Sequence, residues 1–586
     1  MQGYPVRSGI FFALICSLLL LLPSSIPMTA AVWNQPDPDK SGWVEKKIAQ
    51  MTLDEKIGQM FMVGFQNGDQ PAREVNEQVQ KLILEEHVGG IILFDRNVEN
   101  PWQVAGLTRR LQQLSLTSSP GIPLLISMDQ EGGKIVRMRE GVTVFPGNMA
   151  IGATRDSSLA YRAGRITGEE LRAMGINMNL APVLDVNNNA KNPIIGVRSF
   201  AGDPVLAARM ATANLKGYRQ GGVLTAVKHF PGHGDTTTDS HIDVPTVPHS
   251  LKRLEKVELV PFQKAIEQGV DAVMSAHITF PAIDDTPGLP GTLSKKVLTG
   301  LLREKMGYHG VIITDDMEMG AIVENFGADE AAVRAVKAGA DMILVSHDLT
   351  RQRQSIRSVK KAVKKGDISE DRIDRSLRRI LKLKTEKLGE RAVLHQPKVE
   401  ISQVDDGVGT EEHQRQALRI AEAALTQVRD HSDHLPLNPK KTPRVLALSP
   451  NHADVLGKAF ASRGFRPVTR SIDPDPDSSV IRRLSREAAR ADAIVIGTSQ
   501  AGKHPSQADL VQELEATGKP VIVLGLDTPY DLLSFPRVST YLALYSSNPV
   551  ALRAAVKGIT GEIPITGKLP VEIPGMYPAG HGRTQP

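Results

Sequence analysis

The chain has 586 residues, of which 41% are hydrophobic and 23% are charged. This composition is ordinary for a soluble globular protein and excludes a mainly disordered chain, because it supplies enough apolar material for large cores. Lys and Arg number 70 against 65 Asp and Glu, so the net charge is +5. Over this length, the excess is too dilute to indicate nucleic-acid binding, although it suits work near anionic polymers.

The first segment has the pattern of an export signal. Arg7 precedes an apolar run at residues 10–22, and small residues follow up to Ala31. We therefore predict a signal peptide at residues 1–31, because the run is too short for a transmembrane helix. Cys16, the only cysteine, lies inside this run, which continues beyond it and so disfavours a lipid anchor. Cleavage would leave no cysteine, which excludes disulfides, zinc–cysteine sites and thiol nucleophiles.

Eight short apolar runs follow in chain order, separated by stretches with helical spacing. The runs cover residues 60–65, 90–94, 123–128, 177–186, 224–229, 272–280, 311–315 and 342–346. Alternating strands and helices indicate a parallel sheet, and eight such units fit a (β/α)8 TIM-like barrel. We predict this barrel at residues 32–388. An open doubly wound sheet is the alternative that the pattern alone leaves.

A second, smaller α/β domain is predicted after a linker. Residues 389–409 lack periodicity, and four further apolar runs then alternate with helical segments over residues 410–586. This pattern indicates a layered αβα sandwich, which we expect to pack against the barrel and help shape the substrate cleft. The segment GTSQAGKH at residues 497–504 nearly matches a phosphate-binding P-loop. However, His504 replaces the required Ser or Thr, so nucleotide binding is not predicted.

Polar side chains follow several of the barrel runs directly. They are Asp129, Arg198, Lys228 with His229, His277 and Asp315. A barrel enzyme builds its active site at the carboxyl ends of its strands. Because these residues come from different runs, we expect them to face one opening.

The segment KHFPGHGDTTTDSH at residues 228–241 is the most polar loop of the chain. One interpretation is a metal site formed by His233, Asp239 and His241, although no recognised metal-binding spacing supports it. In the other, Asp239 orients His241 and favours its charged form, so that the histidine protonates a leaving oxygen. The pair Asp315–Asp316 in VIITDDMEMG offers a carboxylate nucleophile for an anomeric carbon.

Together, these motifs resemble glycoside hydrolase family 3, and more narrowly its β-N-acetylglucosaminidase branch, which acts on peptidoglycan fragments. The segments that carry the resemblance are SMDQEGG at 127–133, NPIIGVRSF at 192–200, KHFPGHGDTTTDSH at 228–241, MSAHI at 274–278 and TDDMEMGAI at 314–322. The similarity extends from about residue 51 to GKLPVEIPGMYPAGHG near the end of the chain. The resemblance covers nearly the whole mature chain.

The resemblance implies a retaining mechanism and assigns its catalytic residues. Asp315 would be the nucleophile, with Asp316 the less favoured choice, and His241 would be the acid/base, assisted by Asp239. The β-glucosidases of the family use a glutamate from a later domain instead, so the Asp239-Ser240-His241 triplet favours the aminosugar branch.

The resemblance also implies which residues bind the sugar. They are Asp129, Arg137, Arg198, Lys228 and His229, each in the matching motif. Position 134 is Lys where Arg is common, which leaves Arg137 as the more secure contact of that segment.

We therefore predict a secreted retaining exo-β-N-acetylglucosaminidase, free or held at the cell wall, that releases N-acetylglucosamine from peptidoglycan-derived muropeptides. The prediction includes no cofactor, no metal, no nucleic-acid partner and no membrane span. A family-3 β-glucosidase and an N-acetylglucosaminide phosphorylase are alternatives, since a histidine in place of a second carboxylate repels phosphate less. A metal-dependent hydrolase and an inactive wall-binding protein are the alternatives from other classes.

Overall fold

The structure, a computed structural model, describes residues 38–239, 244–388 and 402–583. The predicted signal peptide, residues 389–401 of the predicted linker, and His241 lie outside the described residues. Residues 402–407, at the end of that linker segment, form a helix. Within the described ranges, we find no helix with the length and apolarity that a membrane span requires.

Eight parallel strands form the first sheet, in which consecutive strands pair from the first to the seventh and the eighth pairs with the first. They are β1 (Phe61–Val63), β2 (Gly90–Ile92), β3 (Leu125–Met128), β4 (Met178–Asn179), β5 (Leu224–Phe230), β6 (Ala272–Ser275), β7 (Val311–Ile313) and β8 (Ile343–Val345). A parallel bridge between Ile313 and Met342 joins the two remaining edges. The predicted (β/α)8 barrel is confirmed.

Helices surround this barrel and cover its outer face. They are α1 (Pro38–Gln50), α2 (Leu53–Gly58), α3 (Glu77–Leu84), α4 (Pro101–Thr117), α5 (Asn148–Thr154), α6 (Ser157–Ala173), α7 (Pro204–Gln220), α8 (Leu251–Leu254), α9 (Leu259–Glu267), α10 (Gly320–Phe326), α11 (Ala328–Ala338), α12 (Leu349–Lys364), α13 (Glu370–Leu388) and α14 (Ser402–Gly407). A π-helical segment, Lys296–Lys305, precedes β7. Because the strands are covered on both faces, they are buried along their whole length, and most of them have mainly apolar sequences.

The fourth apolar run is the one that departs most from a strand. Only Met178 and Asn179 belong to β4, although the run extends to residue 186. The chain then leaves the sheet, touches it again through a bridge between Val183 and Lys228, and continues as a long loop to α7. This loop lies at the carboxyl end of the barrel and carries the side chains of Asp185 and Arg198.

The second domain contains a six-stranded mixed sheet. Its strands are β9 (Thr426–Asp430), β10 (Arg444–Ser449), β11 (Arg466–Ser471), β12 (Ala493–Thr498), β13 (Val521–Gly525) and β14 (Thr540–Ala543), in the spatial order β11-β10-β12-β13-β14-β9. All neighbours are parallel except β14 and β9. Its helices are α15 (Glu411–Ala424), α16 (Ala453–Ala461), α17 (Ser478–Ala488), α18 (Ser506–Glu515) and α19 (Pro549–Ile559). Helices pack on both faces, α17 and α18 on one and α16 and α19 on the other, so the predicted αβα sandwich is confirmed.

The second domain is fixed against the carboxyl end of the barrel by direct hydrogen bonds. The Asn187 side-chain amide donates to the Tyr530 hydroxyl over 3.0 Å, and the backbone N–H of Gly202 donates to the carbonyl of Pro570 over 3.1 Å. One face of the second sheet also shares its apolar core with Met149 and Ala150 of α5. The loop after β4 therefore borders both the barrel opening and the second domain.

Candidate active site

A pocket of about 440 Å³ opens at the carboxyl end of the barrel. Seven of the eight strands contribute to its lining through Ile92, Phe94, Asp129, Leu180, Lys228, His229, Met274, Asp315, Leu344 and Ser346. Arg137 and Arg198 line it from the following loops. The structure thus brings the five predicted sugar-binding residues and the predicted nucleophile to one cavity.

Four alternating charges form an ion cluster on one side of this pocket, which we call the floor cluster: Asp129, Glu131, Arg198 and Lys228. Arg198 donates two hydrogen bonds to Glu131, of 2.9 Å from Nε and 2.8 Å from Nη2. Lys228 Nζ lies 2.6 Å from Asp129 Oδ1 and 2.7 Å from Glu131 Oε1. Charge-assisted, bidentate contacts of this kind are strong and fix the positions of both partners.

Burial of the floor cluster sets the charge states of its members. Burial disfavours the charged form of Glu131, but the neighbouring Arg198 and Lys228 outweigh it and hold the pKa of Glu131 well below its usual range. Burial likewise opposes the charge of Lys228, but Asp129 and Glu131 raise its pKa. Glu131, Arg198 and Lys228 are therefore all ionised at neutral pH.

Glu131→Gln is expected to destabilise the protein by about 3–5 kcal/mol at pH 7, because it leaves two buried cations short of one negative charge. The Glu131 side chain is only 1% exposed, so water cannot replace the lost carboxylate. The pKa of Glu131 is lower in the folded protein than the ordinary 4.5, so its stabilisation is complete above pH 4.5 and is lost as the pH falls below it.

Urea denaturation of Glu131→Gln and wild type between pH 3 and 7 checks this expectation. The difference in free energy of unfolding should be constant from pH 7 to about pH 4.5 and shrink below it. Glu330→Gln, which alters an exposed pair with Arg334 on α11, is the matched control. An unfolding midpoint of Glu131→Gln equal to that of wild type would contradict the stabilising role of the cluster.

A second group of contacts orients the His229 ring through its Nδ1 atom, by way of Asp185, which does not line the pocket. The His229 Nδ1 lies 2.7 Å from Asp185 Oδ2, while its Nε2 lies 3.4 Å from Arg198 Nη2 at the pocket. Asp185 also accepts the backbone N–H of His233 over 2.6 Å. Burial, and after it the neighbouring His229, lower the pKa of His233 to about 4. His229 is therefore held in one orientation by a buried carboxylate, the arrangement that fixes a histidine's tautomer.

Asp315, the predicted nucleophile, follows β7 and lies half-buried at the pocket wall. Its Oδ1 accepts the backbone N–H of Asp316 over 2.9 Å. Burial works against ionisation, but His229, His277, this N–H and Lys228 together keep the pKa of Asp315 below its ordinary 3.8. The carboxylate is therefore ionised at neutral pH, as a nucleophile must be.

The neighbouring carboxylates have other contacts. Asp316 Oδ2 lies 3.3 Å from His347 Nε2. Burial raises the pKa of Glu318, which makes it a candidate acid, but its oxygens already accept the backbone N–H groups of His347 and Asp348. Glu318 is therefore tied to the loop after β8, whereas Asp315 has fewer local contacts.

Arg137 lines the pocket beside Asp129. Its Nη2 is 3.3 Å from Asp129 Oδ2, and its guanidinium lies 5.3 Å from the centre of the Phe94 ring. The His347 ring is 5.1 Å from the same phenyl ring. This part of the pocket combines an aromatic face with fixed donors, a surface suited to a sugar ring.

Of the predicted acid/base pair, only Asp239 belongs to the described residues. The Asp239 side chain is half-buried, and His241 lies outside the described residues. The hypothetical metal site therefore cannot be assembled from described side chains, since only His233 and Asp239 of its three residues are placed. Among the described residues, no three His, Cys, Asp or Glu side chains are grouped to hold a metal ion.

Sequence reasoning singled out neither Glu131 nor Asp185. Glu131 stands inside SMDQEGG, two positions after Asp129, and Asp185 stands in an otherwise apolar run. An acidic residue in such a run was the available signal, because a carboxylate is rarely buried without a partner. His347 and Glu318 gave no comparable signal.

Residues 52–383 match the family description "Glycosyl hydrolase family 3 N terminal domain". A protein from Pseudoalteromonas piscicida named beta-hexosaminidase A is 30% identical, over 89% of this chain and 97% of that protein. A beta-N-acetylglucosaminidase/beta-glucosidase from Cellulomonas fimi is 29% identical, over 93% and 98% of the two chains.

Among solved structures, a family 3 beta-N-acetylglucosaminidase from Paenibacillus sp. str. FPU-7 superposes with a TM-score of 0.83. It is 42% identical, and the match covers 89% of this chain and 99% of that one. The two-domain architecture is therefore shared along nearly the whole length. The chain belongs to glycosyl hydrolase family 3 and is a glycoside hydrolase, and its resemblance to the family's β-N-acetylglucosaminidase branch is confirmed.

Proposed function

We propose that this enzyme is a retaining exo-β-N-acetylglucosaminidase that releases terminal N-acetylglucosamine from peptidoglycan-derived fragments. The observation that carries the proposal is the half-buried, ionised Asp315 carboxylate in the same pocket as the floor cluster. Asp315 can attack an anomeric carbon while the floor cluster binds the sugar's hydroxyl groups. The names of the two relatives and of the solved structure above support N-acetylglucosamine as the sugar.

The proposed reaction begins with attack of Asp315 on the anomeric carbon. The bond from that carbon to the leaving oxygen breaks as the Asp315–carbon bond forms, and His241 donates its proton to the departing oxygen. In the second step, neutral His241 takes a proton from water, the resulting hydroxide equivalent attacks the same carbon, and Asp315 is released. Two inversions give net retention, as for family enzymes with paired carboxylates.

The floor cluster supplies the sugar contacts in this proposal. Asp129 accepts hydroxyl hydrogens, and Lys228 and Arg198 donate to hydroxyl oxygens through charge-assisted bonds. Because the cluster is already paired and buried, it needs little reorganisation when the sugar binds. A pocket of about 440 Å³ lies toward the small end of ligand cavities, which suits one terminal sugar rather than an internal chain segment.

The contacts of Glu318 support His241 as the acid. Glu318 is the described pocket carboxyl with a raised pKa, but both of its oxygens are occupied by backbone N–H groups. A group held in this way cannot swing to a leaving oxygen without breaking those bonds. The acid is therefore assigned to the loop that ends in Asp239-Ser240-His241.

Turnover of aryl β-N-acetylglucosaminide should exceed that of aryl β-glucoside by at least roughly tenfold in kcat/KM, because a site that binds the acetamide loses those contacts with the plain glucoside. Steady-state rates on the two substrates, with the same aryl group, measure this ratio. β-Glucosidase activity is the second candidate, and the Cellulomonas fimi relative, named for both activities, favours it. Equal or higher turnover of the glucoside would contradict the aminosugar assignment.

A separate product assay tests whether a peptidoglycan fragment is a substrate and whether water or phosphate accepts the released sugar. The test substrate is N-acetylglucosamine linked to N-acetylmuramic acid, incubated with and without phosphate. We expect free N-acetylglucosamine in both reactions. N-acetylglucosamine 1-phosphate as the main product would identify a phosphorylase instead.

We also propose that the enzyme is exported, free or held at the wall. Residues 1–31 support this proposal by their signal-peptide pattern. Fractionation of cells that express the full chain tests it. Loss of export after deletion of residues 2–31 is expected, whereas Cys16→Ala should leave the location unchanged; a shift on Cys16→Ala would indicate a lipid anchor.

A further inference from the structure

A second cavity of about 370 Å³ lies between the barrel and the second domain. It shares Ile194 with the lining of the catalytic pocket, so the two cavities are adjacent. One wall is the loop after β4, and the other is formed by loops of the second domain. The hydrogen bond between Asn187 and Tyr530 holds the two walls together.

The second-domain wall comes from the carboxyl ends of β12 and β13. Gln500 and Lys503 follow β12, and Asp527 and Thr528 follow β13. In open parallel sheets, ligands bind in the crevice outside the carboxyl ends of the strands. Here that crevice faces the catalytic pocket rather than bulk solvent alone.

Three lysines line this cavity: Lys134, Lys191 and Lys503. All three are exposed, and none forms an ion pair within residues 38–239, 244–388 and 402–583. Elsewhere on the described surface many lysines pair with acidic side chains, such as Lys264 with Glu267. Two carboxylates share this lining: Asp527, which accepts a hydrogen bond from Gln500, and Asp531, whose pKa burial raises to about 7. The three lysines outnumber them, so the cavity carries an excess of positive charge next to the catalytic pocket.

The loop at 497–504 exposes the Lys503 side chain, whereas its backbone N–H groups are not free to bind a phosphate. Asp531, which is 3% exposed, accepts the backbone N–H of Ala501 over 2.8 Å. The N–H groups of Ser499 and Lys503 are also occupied, by Gln507 Oε1 at 3.0 Å and the Gln500 carbonyl at 2.8 Å. A P-loop needs such groups free. The segment therefore forms no P-loop; it holds the backbone of Lys503 and leaves the side chain exposed.

We propose that this cavity is the subsite for the leaving group and that Lys191 and Lys503 bind a carboxylate on it. The proposal rests on the proposed function, because it takes the departing unit to be a carboxylate-bearing sugar such as N-acetylmuramic acid. Charge-assisted contacts with that carboxylate would orient the leaving oxygen above Asp315. Lys134 adds to the attraction from the barrel side.

The test compares two disaccharides that differ only in the lactyl carboxylate. N-acetylglucosamine linked to N-acetylmuramic acid carries it, and N,N′-diacetylchitobiose does not. For the double variant K191A/K503A we expect KM for the first disaccharide to rise at least about tenfold, because each lost charge-assisted contact can account for a change of that size. KM for diacetylchitobiose should change less than twofold, and K503R in place of K503A should recover most of the difference.

Lys440→Ala, an exposed lysine outside the cavity, is the matched control and should leave both KM values unchanged. Equal changes for the two disaccharides, or no change for either, would overturn the subsite. Failure of the wild-type enzyme to cleave aryl β-N-acetylglucosaminide would instead overturn the proposed function. The two failures are therefore distinguishable in one set of assays.

Discussion

Asp315→Ala is expected to lower kcat/KM roughly 10⁴-fold on every substrate, whatever its leaving group, because no glycosyl-enzyme can form without the carboxylate. The pocket places no other described carboxylate in an equivalent position, since Glu131 is locked to two cations and Glu318 to two backbone N–H groups. Steady-state kinetics on one activated aryl substrate and one disaccharide measure the loss.

Chemical rescue separates a lost nucleophile from a damaged fold. Azide should restore turnover of the activated aryl substrate by Asp315→Ala, and the product should be the glycosyl azide of inverted configuration. Asp316→Asn is the matched variant, because Asp316 contacts His347, and it should retain activity within roughly tenfold. Greater loss in Asp316→Asn than in Asp315→Ala would move the nucleophile to residue 316.

The pH profile gives a further check on Asp315. Its pKa lies below the ordinary 3.8, so the nucleophile stays ionised down to that pH. The acid limb of kcat/KM should therefore fall only below about pH 4. A limb near neutral pH that disappears in a variant altered only at Asp315 would contradict this charge state.

His241→Ala is expected to show the second-largest effect, and that effect should depend on the leaving group. For a sugar leaving group, kcat/KM should fall by roughly 10²–10⁴, the usual contribution of a general acid. For an activated aryl group, which departs without a proton, kcat/KM should fall less than about tenfold. Pre-steady-state measurement of the glycosylation step on both substrates separates the two cases.

Asp239→Asn supplies the control for His241. It removes the negative charge, two residues from His241, that favours the imidazolium form of this histidine. Its loss of activity should therefore follow the same pattern as that of His241→Ala but be smaller. The alkaline limb of kcat/KM should move to lower pH. Equal loss on both leaving groups in His241→Ala would exclude the acid/base role and leave a structural role for residues 228–241.

The barrel was predictable from sequence because its strands are buried on both faces. Each predicted run overlaps a strand, and most of these strands are continuous apolar segments; β4 with Asn179 and β5 with Lys228 and His229 are exceptions. In the second domain β9 and β11 were missed. β11 is an edge strand with alternating exposed residues, and β9 has the polar sequence TQVRD, so neither shows an apolar run.

The site was only partly predictable, for a different physical reason. Asp129, Lys228 and Asp315 stand at strand ends, where the fold alone places them at the opening. Glu131 balances Arg198 across 67 positions of sequence, and Asp185 orients His229 across 44. Such partners are chosen by charge balance in a buried space, which no local spacing encodes.

Trapping of the glycosyl-enzyme tests the central claim most directly. A slow substrate such as a 5-fluoro N-acetylglucosaminyl donor should let the intermediate accumulate, because fluorine slows its hydrolysis. Mass spectrometry of peptides from the inactivated wild-type enzyme should then find one glycosyl unit on Asp315. A label on another residue, or turnover through the substrate's own acetamide with no protein adduct, would contradict the account.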